Sequence, residues 1–328
     1  YGVYESRFNG GQEIEGAKMQ ILDQEGKVVE EWVSKKEAHV VYALAPGEYI
    51  LHEEQAPTEQ GYVRAEDVKF VVEETGDVQK VKMEDNHTKV SISKTDITDG
   101  KEIEGAKLQI LDQDGEVVES WTTGEEHLIE YLPVGTYTLH EEAAVDGYIV
   151  ANDVEFTVEE TGEIQKVKME DERAMGQLVI VKTDTDSKAA LEGVEFVLLE
   201  KETGKEVGRL KTGKDGKAVS ELLPIGTYEN GVFKEPITYV LKETATLKGY
   251  EKTEEEWEIV FTYQNDKTPV IEVVKEIQNK KIPETPGTVK PGPKTGDDTN
   301  WFLPLLALGV SAGMVAGLLY YRKRHKKA

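Results

Sequence analysis

Gly100–Trp121 reads GKEIEGAKLQILDQDGEVVESW, and Gly11–Trp32 reads GQEIEGAKMQILDQEGKVVEEW. A diverged third copy, ALEGVEFVLLEKETGKEVGRL, spans Ala190–Leu210. Gly16, Gly105 and Gly193 mark equivalent points, 89 and 88 residues apart. A period of that length is a small domain, not a solenoid repeat. Around the repeated segment, short alternating runs such as EYILHEE and KVKMED are separated by Gly, Asp or Pro-Gly turns. Period-two alternation broken by turns is the pattern of an antiparallel β-sandwich. No stretch before residue 300 keeps a helical period. LDQDG at 111–115 offers two aspartates but not the further acidic ligands of a calcium loop. Asp-Gly between alternating runs is a hairpin turn, and no metal or cofactor is expected.

The chain has 328 residues, with Lys+Arg 39 against Asp+Glu 64 and a formal net charge of -25. Such a surface repels nucleic acid and anionic membranes. Cysteine is absent, which removes disulfides, thiolate metal sites and a cysteine nucleophile. Tyr1 is not followed by a charged-then-apolar leader, so the chain reads as a fragment or processed form.

The far end has a different character. Trp301–Tyr321 is 21 residues without a charge, about the ~20 a helix needs to cross a bilayer. RKRHKK follows and, by the positive-inside rule, stays cytoplasmic. The acidic bulk then lies outside the cell. KIPETPGTVKPGP upstream is an extended, semi-rigid spacer. This three-part order resembles a Gram-positive cell-wall sorting signal of the LPXTG type, with Pro293, Lys294, Thr295 and Gly296 as its cleavage motif. The resemblance implies a sortase that cuts between Thr295 and Gly296 and joins Thr295 to the peptidoglycan cross-bridge. Gly292 stands where that motif usually has Leu. GVSAG within the span matches a nucleophile elbow in letters only, since the strand–turn–helix setting is missing.

YILHEEQAPTEQGY, YTLHEEAAVDGY and YVLKETATLKGY recur once per unit. Together with the K-T-D strands and the GA or GV strands, they resemble the Cna-protein B-type and SpaA-type pilin domains of Gram-positive surface proteins. The resemblance implies three prealbumin-like sandwiches, at 1–87, 88–173 and 174–268. A linker carrying the sorting motif would run over 269–295, and a transmembrane helix with its basic tail over 296–328. In that family a Lys on the first strand, the Glu of the box and an Asn or Asp on the last strand form an intramolecular isopeptide bond. Carried over, the second unit supplies Lys94, Glu141 and Asp171, and the third Lys182, Glu243 and Asn265.

Strand parity tests this assignment, because alternate residues share a face. Lys94 shares a face with Val90 and Ile92, and Lys182 with Leu178 and Ile180. Glu141 follows Tyr137 and Leu139, and Glu243 follows Tyr239 and Leu241. Asp171 follows Val167 and Met169, and Asn265 follows Phe261 and Tyr263. All six therefore fall on apolar, inward faces, where a lone charge is costly. Burial lowers a lysine pKa and raises a carboxyl pKa, which makes the amine a nucleophile and the glutamate a proton shuttle. The plainer alternative is a buried ion-pair network without covalent closure. In the first unit, aligning EIEGAK puts Glu5 in the lysine's place, with Glu53 and Asp85 retained; that unit is expected to be unlinked. His52 and His140, opposite in parity to the glutamates, are expected to face solvent, and Trp32, Trp121 and Trp257 to pack on sheet faces.

Three function classes compete. The favoured one is a structural stalk or accessory pilin at the Gram-positive cell surface, with a sortase, peptidoglycan and other pilin subunits as partners. An adhesin for a host ligand is the alternative. An enzyme is disfavoured, because no convergent His/Asp/Glu set is legible. The Tyr-Pro-Lys polymerisation motif of shaft pilins is absent.

Overall fold

The computed structural model describes residues 13–284, together with the backbone of 2–7. Among these residues the secondary structure is all strand, apart from one short 3-10 turn at Thr58–Gln60. No helix among them is long and apolar enough to cross a membrane. The apolar span predicted over 301–321 and the sorting motif at 293–296 lie outside the described residues.

Nine strands position the site and are numbered here in chain order. In the first domain they are β1 (Gly2–Arg7), β2 (Gly47–Gln55) and β3 (Gln79–Met83). In the second they are β4 (Lys89–Asp96), β5 (Gly135–Ala143) and β6 (Ile164–Arg173). In the third they are β7 (Met175–Asp184), β8 (Thr238–Ala245) and β9 (Val270–Asn279). Each domain is a sandwich of two small sheets. In the second, β4 and β6 sit side by side in one sheet, and β5 lies in the other between Lys107–Leu111 and Val154–Val158. Val90, Ile92, Leu108, Ile110, Leu139 and Met169 close the core between them. Each such aliphatic contributes about 1.5–3 kcal/mol when fully buried.

One pairing departs from the antiparallel expectation. The first and last strands of every domain are parallel neighbours, β1 with β3, β4 with β6 and β7 with β9. Two parallel neighbours begin at one end of the sheet and finish at the other. The chain therefore enters each domain at one pole and leaves at the opposite pole, which lets the domains follow one another in tandem.

The third domain also runs further than the sequence reading placed it. Its closing strand is β9, at 270–279, inside the segment assigned to the linker. The run that leads to Asn265 is not the closing strand: its strand portion, Glu256–Val260, pairs with β8 at the edge of the opposite sheet. The compact unit accordingly runs to Ile282, and a second unit begins at Pro283.

Domain junctions are hydrogen-bonded and aromatic. Between the first and second domains, Thr88 N–H donates to Gly61 O at 2.9 Å and Tyr131 stacks on His87 at 4.0 Å. Gly61 has φ +76, and a Cβ there would lie 2.3 Å from the Tyr131 backbone, so only glycine fits. Between the second and third, the Tyr228 hydroxyl donates to Gly147 O at 2.8 Å, and the Arg173 guanidinium lies 4.1 Å over the Tyr228 ring. Arg173 Nε and the Tyr148 hydroxyl both donate to Asp96 Oδ2, at 2.6 and 2.7 Å. Burial pushes the Asp96 carboxyl up, but the Thr98 N–H, Tyr148 and Arg173 outweigh it and hold it below its ordinary value.

Candidate functional site

The box glutamates turn inward at a recurring bulge. Glu141 pairs with Leu108, and the register slips between Lys107 and Leu108. The same slip occurs beside Glu53 and beside Glu243. An extra residue re-aims a side chain at such a point. Here Glu141 is buried while the next residue, Glu142, is exposed.

In the second domain, Lys94, Glu141 and Asp171 meet between the sheets, with relative exposures of 2%, 2% and 0%. Lys94 Nζ donates to the Asp171 carboxylate and lies 3.0 Å from Glu141 Oε2. The Ala151 N–H also donates to Glu141 Oε2, at 2.6 Å. Glu141 Oε1 and Asp171 Oδ2 are buried without a hydrogen-bond partner. Burial, opposed by the Lys94 charge and reinforced by Glu141, pushes the Asp171 carboxyl up to about 7.

In the third domain the cluster is Lys182, Glu243 and Asn279. Lys182 Nζ donates to Asn279 Oδ1 at 2.5 Å and to Glu243 Oε2 at 2.8 Å. Asn279 Nδ2 donates to Glu243 Oε1 at 2.7 Å. The glutamate thus touches both nitrogens, one through each oxygen. Burial pushes the Lys182 amine below its ordinary pKa, and the hydrogen bond and charge of Glu243 only partly offset that. An amine biased toward neutrality, resting against an amide carbonyl and bridged by a carboxylate, has the parts for amide exchange.

Asn265, predicted as the acceptor, is not in this cluster. It is exposed in the turn before β9, where its Oδ1 accepts from the Lys267 N–H at 2.9 Å and the Thr268 hydroxyl at 3.1 Å. Register identifies its replacement. Lys94 pairs with Met169 and Asp96 with Asp171; Lys182 pairs with Ile277 and Asp184 with Asn279. In both domains the acceptor lies two residues past the lysine's partner. Spacing carried a signal for this: Glu53 to Asp85 is 32 residues and Glu141 to Asp171 is 30, but Glu243 to Asn265 is only 22.

The first domain needs a second correction. Arg7, not Glu5, pairs with Met83, the counterpart of Met169, while Glu5 pairs with Val81. From Arg7 to Gly16 is nine residues, against eleven from Lys94 to Gly105. An ungapped alignment on EIEGAK misplaces the strand by those two residues. Arginine stays protonated in proteins and offers no free amine pair. Glu53 is fully buried and accepts the Ala65 N–H at 2.6 Å, as Glu141 accepts that of Ala151.

The remaining candidates are structural. Asp112 Oδ1 accepts the N–H groups of Asp114 and Glu116, both at 2.9 Å, which builds the LDQDG hairpin turn. His52 and His140, both partly exposed, pair with Asp67 and Asp153. Trp32 and Trp121 stack on His39 and His127 at 4.3 and 4.5 Å, and Trp257 is buried in the third core.

A family model of the SpaA prealbumin-like fold domain matches three times, at residues 7–87, 88–173 and 176–236. No curated protein matches this sequence. Among solved structures, the Bacillus anthracis TIE protein is similar at 28% identity and a TM-score of 0.57, over 85% of this chain and 51% of that one. The chain thus spans about half the length of that relative. BcpA, the major pilin subunit of Bacillus cereus, is similar at 16% identity and a TM-score of 0.47, over 85% of this chain and 98% of that one.

Proposed function

Starting from a chain that belongs to the SpaA prealbumin-like domain family, we propose that it is a cell-surface stalk or accessory pilin whose second and third domains cross-link themselves. The observation that carries this reading is the buried contact of Lys182 with Asn279 and Glu243, repeated as Lys94 with Asp171 and Glu141.

In the third domain, neutral Lys182 Nζ attacks Cγ of Asn279. The new bond is Nζ–Cγ, the bond broken is Cγ–Nδ2, and ammonia leaves. Glu243 takes a proton from Nζ on Oε2 and returns one to Nδ2 from Oε1, consistent with its contact to each nitrogen. In the second domain Lys94 attacks Asp171 and water leaves; an acid held protonated by burial is the better electrophile. Fixed contact replaces a bimolecular encounter, an advantage of about 7–11 kcal/mol at full effect. The first domain, with Arg7 in the lysine's register, stays open.

Parallel first and last strands give the bond its mechanical sense. A pull between a domain's two poles shears β4 against β6, or β7 against β9. A Lys94–Asp171 link near the end of that pair passes tension directly from one strand to the other. The chain between the linked residues then carries no load. Each bond forms once in its own domain, so the protein is not an enzyme in the turnover sense. Attachment to Gram-positive peptidoglycan by a sortase acting at Thr295 completes the reading and rests on the sequence of 293–328.

Digestion of the denatured protein, followed by peptide sequencing in the mass spectrometer, tests the cross-links. Branched peptides joining Lys94 to Asp171 and Lys182 to Asn279 are expected. Recovery of only linear peptides covering those four residues refutes the reading.

A further inference from the structure

Asn279 Nδ2 has a second acceptor: besides Glu243 Oε1 it donates to Thr246 Oγ1 at 2.7 Å. Thr246 is half-buried and lies three residues after the box glutamate, just past the end of β8. The corresponding residues in the other domains are Ala56 and Ala144. Those are the domains whose acceptor positions hold Asp85 and Asp171, which have no N–H to satisfy. The hydroxyl occurs where the acceptor is an amide and is missing where it is an acid.

We infer that Thr246 orients the Asn279 amide for cross-linking, by fixing its nitrogen on the leaving side and its carbonyl toward Lys182. This rests on the cross-linking reading above. An asparagine amide is nearly symmetric in shape, and only its hydrogen bonds choose between its two orientations. Here both N–H groups are occupied, one by Glu243 and one by Thr246, and Oδ1 receives Lys182 Nζ. Turned over, the amide would set N–H against the Lys182 donor and its oxygen against the Glu243 carboxylate. Lys182 and Glu243 set which way round the amide lies, and Thr246, taking the second N–H, holds it there with Nδ2 beside Glu243 Oε1 as ammonia departs. An aspartate presents two like oxygens and needs no such choice.

The test is the rate of ammonia loss from the full chain, read by intact mass on samples quenched in denaturant at intervals after a pulse of synthesis. Thr246→Val is expected to slow third-domain closure about tenfold, the rate equivalent of one hydrogen bond's net contribution. Thr246→Ser should restore the parent rate. In an Asn279→Asp background the third domain should close with loss of water, and adding Thr246→Val should leave that rate unchanged; closure there also shows that the variant folds. Three outcomes overturn the inference: an unchanged rate in Thr246→Val, a Thr246→Ser as slow as Thr246→Val, or equal slowing in the Asn279→Asp background. A parent protein that never loses ammonia instead removes the cross-linking reading itself.

Discussion

Replacing Lys182 by Met removes the nucleophile while keeping an unbranched apolar side chain against Phe196, whose ring lies 5.8 Å from Nζ. Glu243 still accepts from Asn279 Nδ2, so its carboxylate keeps a donor. On the cross-linking reading, the main loss is the covalent loop. Lys182 and Asn279 are 97 residues apart, and the chain-entropy treatment of a cross-link gives a loop that long about 4.7 kcal/mol at 25 °C. Lys94 and Asp171 are 77 apart, which gives about 4.5 kcal/mol, since the dependence is only logarithmic. At about pH 4, where Asp171 is still protonated in the folded domain, Lys182→Met and Lys94→Met should therefore destabilise their own domains nearly equally, each lowering that domain's melting temperature by roughly 20 °C. Calorimetry of the parent and both variants resolves this, with intact mass recording which small molecule each variant no longer loses. Melting within a few degrees of the parent would refute the argument that the bond constrains the unfolded chain.

Three further outcomes follow, two from the geometry of the clusters and one from the sorting motif in the sequence. Arg7→Lys puts a lysine in the register opposite Met83, as Lys94 is opposite Met169, with Glu53 and Asp85 retained in the sequence, and should add one more water to the mass deficit of the denatured protein. Lys94→Met leaves Asp171 beside Glu141 without the cation that opposed its rise to about 7. A raised acid stabilises the fold below its unfolded pKa and loses that stability as pH climbs through the folded value. Second-domain stability in this variant should thus fall from pH 4 to above 7, by on the order of 4 kcal/mol, as urea titrations at stepped pH would measure. Thr295→Ala should abolish covalent recovery of the protein with peptidoglycan fragments after muralytic digestion of a sortase-bearing host, while leaving both internal mass losses intact.

Much of this was legible because repeats and strand parity are robust signals. Gly16, Gly105 and Gly193 counted the domains, and alternation along KVSISKTD and YTLHEE put Lys94 and Glu141 on one interior. The errors came where local pattern was ambiguous. EWEIVFTYQN and VIEVVKEIQN both alternate and both end in asparagine. Only pairing with β7 shows which is the closing strand. The first strand of domain one was misplaced because a loop two residues shorter leaves no mark in an ungapped match. Thr246 carried no signal until its hydroxyl was seen on Asn279 Nδ2, since a threonine after a strand has many ordinary uses. The parallel pairing of first and last strands is likewise a non-local fact, which alternation within either strand does not encode.

The intact mass of the denatured protein tests the central claim most directly. A deficit of one water plus one ammonia from the sequence mass is the expected result, one bond in each of the second and third domains and none in the first. The full sequence mass, from protein shown to be folded beforehand, would contradict it and leave Lys94 and Lys182 as buried, uncondensed pairs.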